Sequence, residues 1–402
     1  MMNYYYSFQK LKTYCESQEF KGWDPYDGLN SRFFRNMPFS KLELPRLAWI
    51  QFFKRSHINF RPLFGVDKDY NPKGIGLFLN GYCNLYKLAP NENYLQKIIE
   101  LADLLIKIKN EGYSGACWGY NFDWQARAFF QPKGTPTVVA TTFIASALLE
   151  AYRITKRLEY LNTAIDTQYF ILKDLNRTYD KDGDFSFSYS PLDKTQVFNA
   201  SLLGSRLLSQ IYGHTKDENL LTEARKSVSF AAKHQQKNGE WAYGTLPFHQ
   251  WIDSFHTGYN LECIHAYQQY SGDKSFNQVI ESGTNYYLKN FFTSKGIPKY
   301  YNNRIYPIDV HATSQLIITL SRLKIWDENI DLTKSVLMWT IINMQDPKGY
   351  FYYQLKKNFN SKIPYMRWAQ AWMFYAFTEF LLNENTSELA TNSKVTFQVK
   401  RN

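Results

Sequence analysis

Apolar residues recur at spacings of three and four in segment after segment of this chain, and the segments themselves recur. Stretches poor in helix breakers start near Gly74, Val138, Gln196, Ser254, Val310 and Tyr365, and the last five starts lie 58, 58, 56 and 55 residues apart. A second helical stretch follows each, with a narrower apolar stripe. Tyr94, Leu95, Ile98, Ile99, Leu101, Ala102 and Leu105 show the spacing that lays one helix face on a core. Before the next unit comes a glycine followed by alternating aromatics: GACWGY at 115–120, GDFSFSY at 183–189, GEWAY at 239–243, GIPKYY at 296–301 and GYFYY at 349–353. A period of this length predicts one repeated unit of helix, turn, helix and aromatic loop.

The two helices of a unit differ in composition. The first carries small residues, such as Ala140, Ala145, Ser146 and Ala147, or Ala200, Ser201, Gly204 and Ser205, which let backbones approach closely. Its partner, near 158–174, 217–236, 273–291 or 329–345, mixes Lys and Glu with a single stripe. An inner and an outer layer are therefore predicted. A helix near 41–55 is expected to complete six pairs, with 3–17 as an additional N-terminal helix. The expected division is an N-terminal helix and structured extension over 1–39, one helical domain over 40–383, and a polar, aperiodic, disordered tail over 384–402.

Six hairpins in two layers resemble the all-α (α/α)6 toroid of many glycan-processing enzymes, found in related form in terpene cyclases and protein prenyltransferases. The resemblance spans residues 40–383. Three segments, FKGWDPYDGLNSRFF at 20–34, RPLFGVDKDYNPKGIGLFLNGYCNLY at 61–86 and IPYMRWAQAWMFYAF at 363–377, resemble a family of uncharacterised bacterial and archaeal proteins. Its members often lie in capsule, exopolysaccharide and O-antigen gene clusters. What this resemblance implies is a role in surface-polysaccharide metabolism, with an oligosaccharide or sugar intermediate as substrate and peripheral association with glycan-assembly machinery; the positive charge favours an acidic sugar.

Composition narrows the classes. The net charge of +11 favours anionic partners, but the basic residues are spread along the chain and no nucleic-acid-binding motif accompanies them, so nucleic acid is not expected. The longest apolar stretch, near Val336 to Met344, is too short for a transmembrane segment. MMNYYYSFQKLK lacks the regions of a secretory signal, and Cys15, Cys83, Cys117 and Cys263 form no CxxC pair. A cytoplasmic address with free thiols is expected.

In a toroid the aromatic loops and the inner-helix starts converge on one mouth. Trp118, Trp124, Trp241, Tyr243, Tyr300, Tyr352 and Trp368 are candidates to stack on sugar rings, the alternative being that they fill the core. Asp253, His256, Asp309 and His311 stand at helix starts, as proton-transfer groups or as plain N-caps. Arg127 and Arg367 are candidates for a substrate carboxylate, and Asp27, in the turn GWDPYDGL, is a further substrate-binding candidate. Asp309, His311 and His256 could supply three zinc ligands. The cysteine that prenyltransferase-type toroids place beside such an aspartate is absent, so neither metal nor cofactor is expected. No P-loop, GxGxxG or GxSxG occurs. The expectation is a carbohydrate enzyme working by epimerisation, elimination or glycosidic cleavage, the two histidines favouring the first two. A non-catalytic glycan-binding or assembly factor is the alternative, and an isoprenoid enzyme lacks its DDxxD or DxDD acid cluster.

Overall fold

The computed structural model describes residues 4–127 and 129–399, with side chains to Asn385. Three helices come first: α1 (Tyr4–Ser17), the single turn α2 (Arg32–Arg35) and α3 (Glu43–Arg55). Five hairpins follow: α4 (Pro72–Leu88) with α5 (Glu92–Lys107), α6 (Val138–Thr155) with α7 (Leu158–Tyr169), α8 (Phe198–Thr215) with α9 (Glu218–Lys233), α10 (Ser254–Ser271) with α11 (Asn277–Phe291), and α12 (Val310–Leu323) with α13 (Ile330–Met344). The last helix, α14 (Trp372–Val399), is entered through a π-helical turn over Met366–Ala371. The tail boundary expected after residue 383 falls inside α14, and residues 400–402 lie outside the described residues.

The inner ring closes on itself, each helix packing on the next: α4, α6, α8, α10, α12, α14 and back to α4. Small residues permit this approach; a Cβ on Gly81 of α4 would sit 2.5 Å from the Phe374 ring of α14. The sixth outer helix is α1, where the sequence suggested the 41–55 segment. Phe8, Leu11 and Cys15 of α1 are buried, and Phe8 meets Phe374 and Phe377 edge-on and tilted. The Ser7 carbonyl accepts from Gln345 Nε2 at 2.9 Å. In α3 only Ile50 and Phe53 are buried, and the helix lies over the barrel mouth instead.

Local chemistry sets the helix ends. Asn71, Asn91, Thr137, Asp217, Asp253 and Asp309 cap α4, α5, α6, α9, α10 and α12 by accepting from backbone N–H groups of the first turn. Inner helices α6, α8, α10 and α12 all stop on a left-handed residue, Lys156, Lys216, Gly272 and Lys324. The loop glycines also need positive φ: Gly349 has φ of 102°, and a Cβ there would lie 2.3 Å from the Lys10 carbonyl. Short antiparallel pairs edge the mouth, β1 (Trp124–Gln125) with β2 (Phe130–Gln131), β3 (Arg177–Tyr179) with β4 (Phe185–Phe187), and β5 (Ile308–Asp309) with β6 (Gln354–Leu355) and β7 (Asn360–Ser361). Among the described residues one helix, α6, is long and apolar enough to cross a membrane, and 67% of it is buried inside the toroid.

Candidate active site

The aromatic loops divide their side chains by depth along each motif. Trp118 and Trp241 turn inward, and their indole N–H groups donate to the carbonyls of Leu105 and Ala231, near the ends of α5 and α9, at 2.8 and 3.0 Å. They tie each loop to the preceding outer helix and do not reach the mouth. Phe185 and Phe187 are likewise buried. Closing tyrosines of the motifs, Tyr120, Tyr189, Tyr243, Tyr300 and Tyr301, line a cavity of about 630 Å³ at the barrel mouth. Tyr352 faces away from it, donating to Asp346 at 3.0 Å.

The cavity also takes Trp124 and Arg127 from the loop carrying β1, Lys54 and Arg55 from α3, Trp251 and His256 from the start of α10, and Arg367 and Trp368 from the turn before α14. No carboxylate lines it among the described residues. Tyr243 and Trp251 stack with centroids 4.4 Å apart and planes 17° from parallel. His249 and His256 flank this stack, at 5.1 and 4.6 Å from the Tyr243 centroid.

Asp253 caps α10 through Oδ1, accepting from the His256 N–H at 3.0 Å. Its Oδ2 accepts from Trp251 Nε1 at 2.9 Å and holds His256 Nδ1 at 2.7 Å. The carboxylate is thus both cap and orienter: it fixes the tautomer with the proton on Nδ1 and leaves Nε2 free to act on a ligand. The second predicted histidine is elsewhere. His311 lies behind Phe255, stacked on it at 4.4 Å, with Nε2 2.9 Å from the Tyr259 hydroxyl. Burial, with Lys73, His256 and Arg367 nearby, holds its imidazole well below the usual range. Asp309 is also buried, accepting from Gln354 Nε2 at 2.7 Å and from Trp368 Nε1 at 3.0 Å. Burial pushes its carboxyl up to about 6, and its geometric effect is to set the Trp368 ring in the cavity wall.

Two further predicted ligand residues are engaged within the protein. Arg367 forms a two-point ion pair with Asp24, at 2.5 and 2.8 Å. Asp27 is buried against Arg61 Nε at 2.7 Å, and burial pushes its carboxyl up to about 6. Arg61 also donates to the Tyr365 hydroxyl and the Asp24 carbonyl. These pairs clamp the 20–30 segment across the mouth, where Gly22 leaves no room for a Cβ against Met366. Arg127, by contrast, is exposed at the rim and pairs with no described carboxylate. Asp309, His311 and His256 do not converge, and no cluster of three metal-ligating groups is found among the described residues.

His249 escaped the sequence reading because the LPFHQ segment shows neither helical period nor cap pattern; a short turn beginning at Pro247 carries it to the cavity. Its Nδ1 is buried without a hydrogen-bond partner, and burial lowers the imidazole from its ordinary value. Tyr26 and Lys54, 2.8 Å apart, were missed because 20–55 contributes to the mouth only after folding back over the ring.

No family model and no curated protein matches the chain. Solved structures do. The chain is similar to cellobiose 2-epimerase from Bacillus thermoamylovorans B4167, with TM-score 0.62 and 14% identity over 78% of this chain and 87% of that one. It is similar to a GH76 α-mannanase from Bacteroides thetaiotaomicron, with TM-score 0.62 and 14% identity over 79% and 88%. A third is an unsaturated glucuronyl hydrolase specific for heparin, with TM-score 0.60 and 13% identity over 81% and 90%. The fold is the (α/α)6 toroid of glycan-processing enzymes.

Proposed function

We propose that the chain is a carbohydrate enzyme that moves a proton at a carbon of an anionic sugar, by epimerisation or elimination. The observation that carries this reading is the cavity lining, which joins two imidazoles, an aromatic stack and rim cations without a carboxylate among the described residues. Hydrolysis in most glycosidases uses two carboxylates facing the bond from opposite sides. Here the one aspartate bonded to a cavity histidine, Asp253, is spent as a cap and orienter.

In this scheme the sugar ring lies on the Tyr243–Trp251 stack or against Trp124 and Trp368, with Tyr300 at the wall. Lys54, Arg55 and Arg127 attract its negative group. His256 Nε2 takes the proton from a carbon made acidic by an adjacent carbonyl or carboxylate, and His249, once it has taken up a proton from solvent, delivers it to the sugar. Asp253 keeps the base oriented as its charge changes. Sugar enzymes among the structural neighbours and the three segments resembling polysaccharide-locus proteins agree with this substrate class, and four buried free thiols suit a reducing, cytoplasmic address.

Acidic oligosaccharides incubated with the protein in deuterated water test the scheme. Deuterium at a ring carbon, or loss of the elements of water or of a leaving sugar with formation of a double bond, is expected. His256→Gln should lower the rate about 10²- to 10⁴-fold while ligand quenching of the cavity tryptophans persists. Fragments carrying added water would assign hydrolysis, and binding without any conversion would assign a glycan-binding protein.

A further inference from the structure

The segment folded over the mouth has a second face. Of the nineteen large apolar side chains exposed among the described residues, seven lie between Phe33 and Leu63, so exposure is concentrated there and not scattered. On α3, Leu47, Gln51 and Lys54 face the cavity, while Leu44, Ala48 and Phe52, four residues apart, face outward. Leu44 is 77% exposed and Leu63 76%. Its aromatic part is continuous: Phe33 meets Trp49 and Phe64 at 6.2 and 5.3 Å, and Phe52 meets Trp49 and Phe60 at 5.6 and 5.4 Å.

Charge tells what covers it. Residues 32–68 hold eight Lys or Arg against two acidic residues; Arg61 is buried against Asp27, and Arg32, Arg35, Lys41, Arg55 and Lys68 are exposed. Arg32 pairs with the exposed Asp67 at 3.5 Å and Arg35 with Asp123 at 3.3 Å, while Lys41 is exposed and pairs with no described carboxylate. An exposed apolar segment with a surplus of exposed cations is poorly matched to another copy of a basic chain, which would bring like charges together. It is matched to a bilayer of anionic lipids, where apolar side chains enter the headgroup boundary and Lys and Arg meet the phosphates.

We infer that the outer face of the 32–64 segment docks the protein on an anionic lipid surface, holding the cavity mouth at the level of the headgroups. This does not depend on the reaction proposed above, and its test reads lipid binding alone.

The full chain is floated with vesicles of phosphatidylcholine containing about a third phosphatidylglycerol, and with phosphatidylcholine alone. Flotation with the anionic vesicles only, weakened as salt shortens the Debye length, is expected. The double variant Leu44→Glu with Leu63→Glu changes the two most exposed apolar side chains and should weaken binding by roughly tenfold or more, with its thermal unfolding unchanged. Ile342→Glu, at an exposed position of α13, should bind as the parent does and controls for added negative charge. Absence of flotation, or flotation undiminished in the double variant, overturns the inference. So does a self-association in sedimentation velocity that the double variant abolishes, which would give the face to a second copy.

Discussion

His256 and His311 occupy matching places, each near the start of an inner helix behind a capping aspartate, and their surroundings differ completely. One reaches the cavity; the other is sealed under Phe255 and kept neutral. Its unfolded-state pKa is about 6.5, so unfolding takes up a proton below that pH and stability falls as the medium becomes acidic. His311→Phe should remove this contribution. The difference in unfolding free energy between variant and parent should change by up to about 1.4 kcal/mol per pH unit between pH 6.5 and 5, as measured in urea titrations. A difference independent of pH would refute the neutral assignment. The raised carboxyls of Asp27 and Asp309 act in the opposite sense, their contribution being lost as pH rises from about 4 towards 6, and they cancel in that comparison. At this scale the sequence reveals Asp253 and His256, because a cap followed by a histidine has a local pattern. It does not reveal that His311 is sealed or that His249 is at hand, because both depend on neighbours fifty or more residues away or on a loop without period.

Among the helices, the repeat was legible because each unit has to bury the same kind of stripe. Which segment closes the ring was not: amphipathicity shows that a helix has a face to bury but not the partner that covers it, and both 3–17 and 41–55 qualify. The aromatic loops behave similarly. Their aromatic spacing is plain in the sequence, yet residues two apart would share a side of an extended chain, and only the structure buries Trp118 and Trp241 while Tyr120 and Tyr243 line the cavity. Three inner helices end on a lysine at positive φ, with values of 57°, 61° and 59° at Lys156, Lys216 and Lys324. A side chain there costs about 1–2 kcal/mol, and glycine returns part of the gain through its freer unfolded state. Lys156→Gly, Lys216→Gly and Lys324→Gly should each raise stability by up to about 1 kcal/mol in chemical denaturation, and a loss at all three positions would contradict the geometry.

For the molecule as a whole, the 20–30 segment is a strap fastened by buried charges to the far end of the chain. Asp24→Asn keeps the shape but leaves Arg367 without its ion pair, and should cost about 3 kcal/mol. It should also loosen the mouth, visible as faster proteolysis between residues 20 and 70; an unchanged melting temperature would show that the pair contributes little. The joining of α1 to α14 reaches further than the strap. Because α1 is the outer partner of α14, the sixth pair of the ring is made by helices more than 300 residues apart. A nascent polypeptide therefore holds five sides of the ring with a gap between α12 and α4, and it cannot fasten its own belt until the final inner helix has been synthesised. Until then the flanks of α4 and α12 lie open, which makes the unfinished toroid a natural client for chaperones.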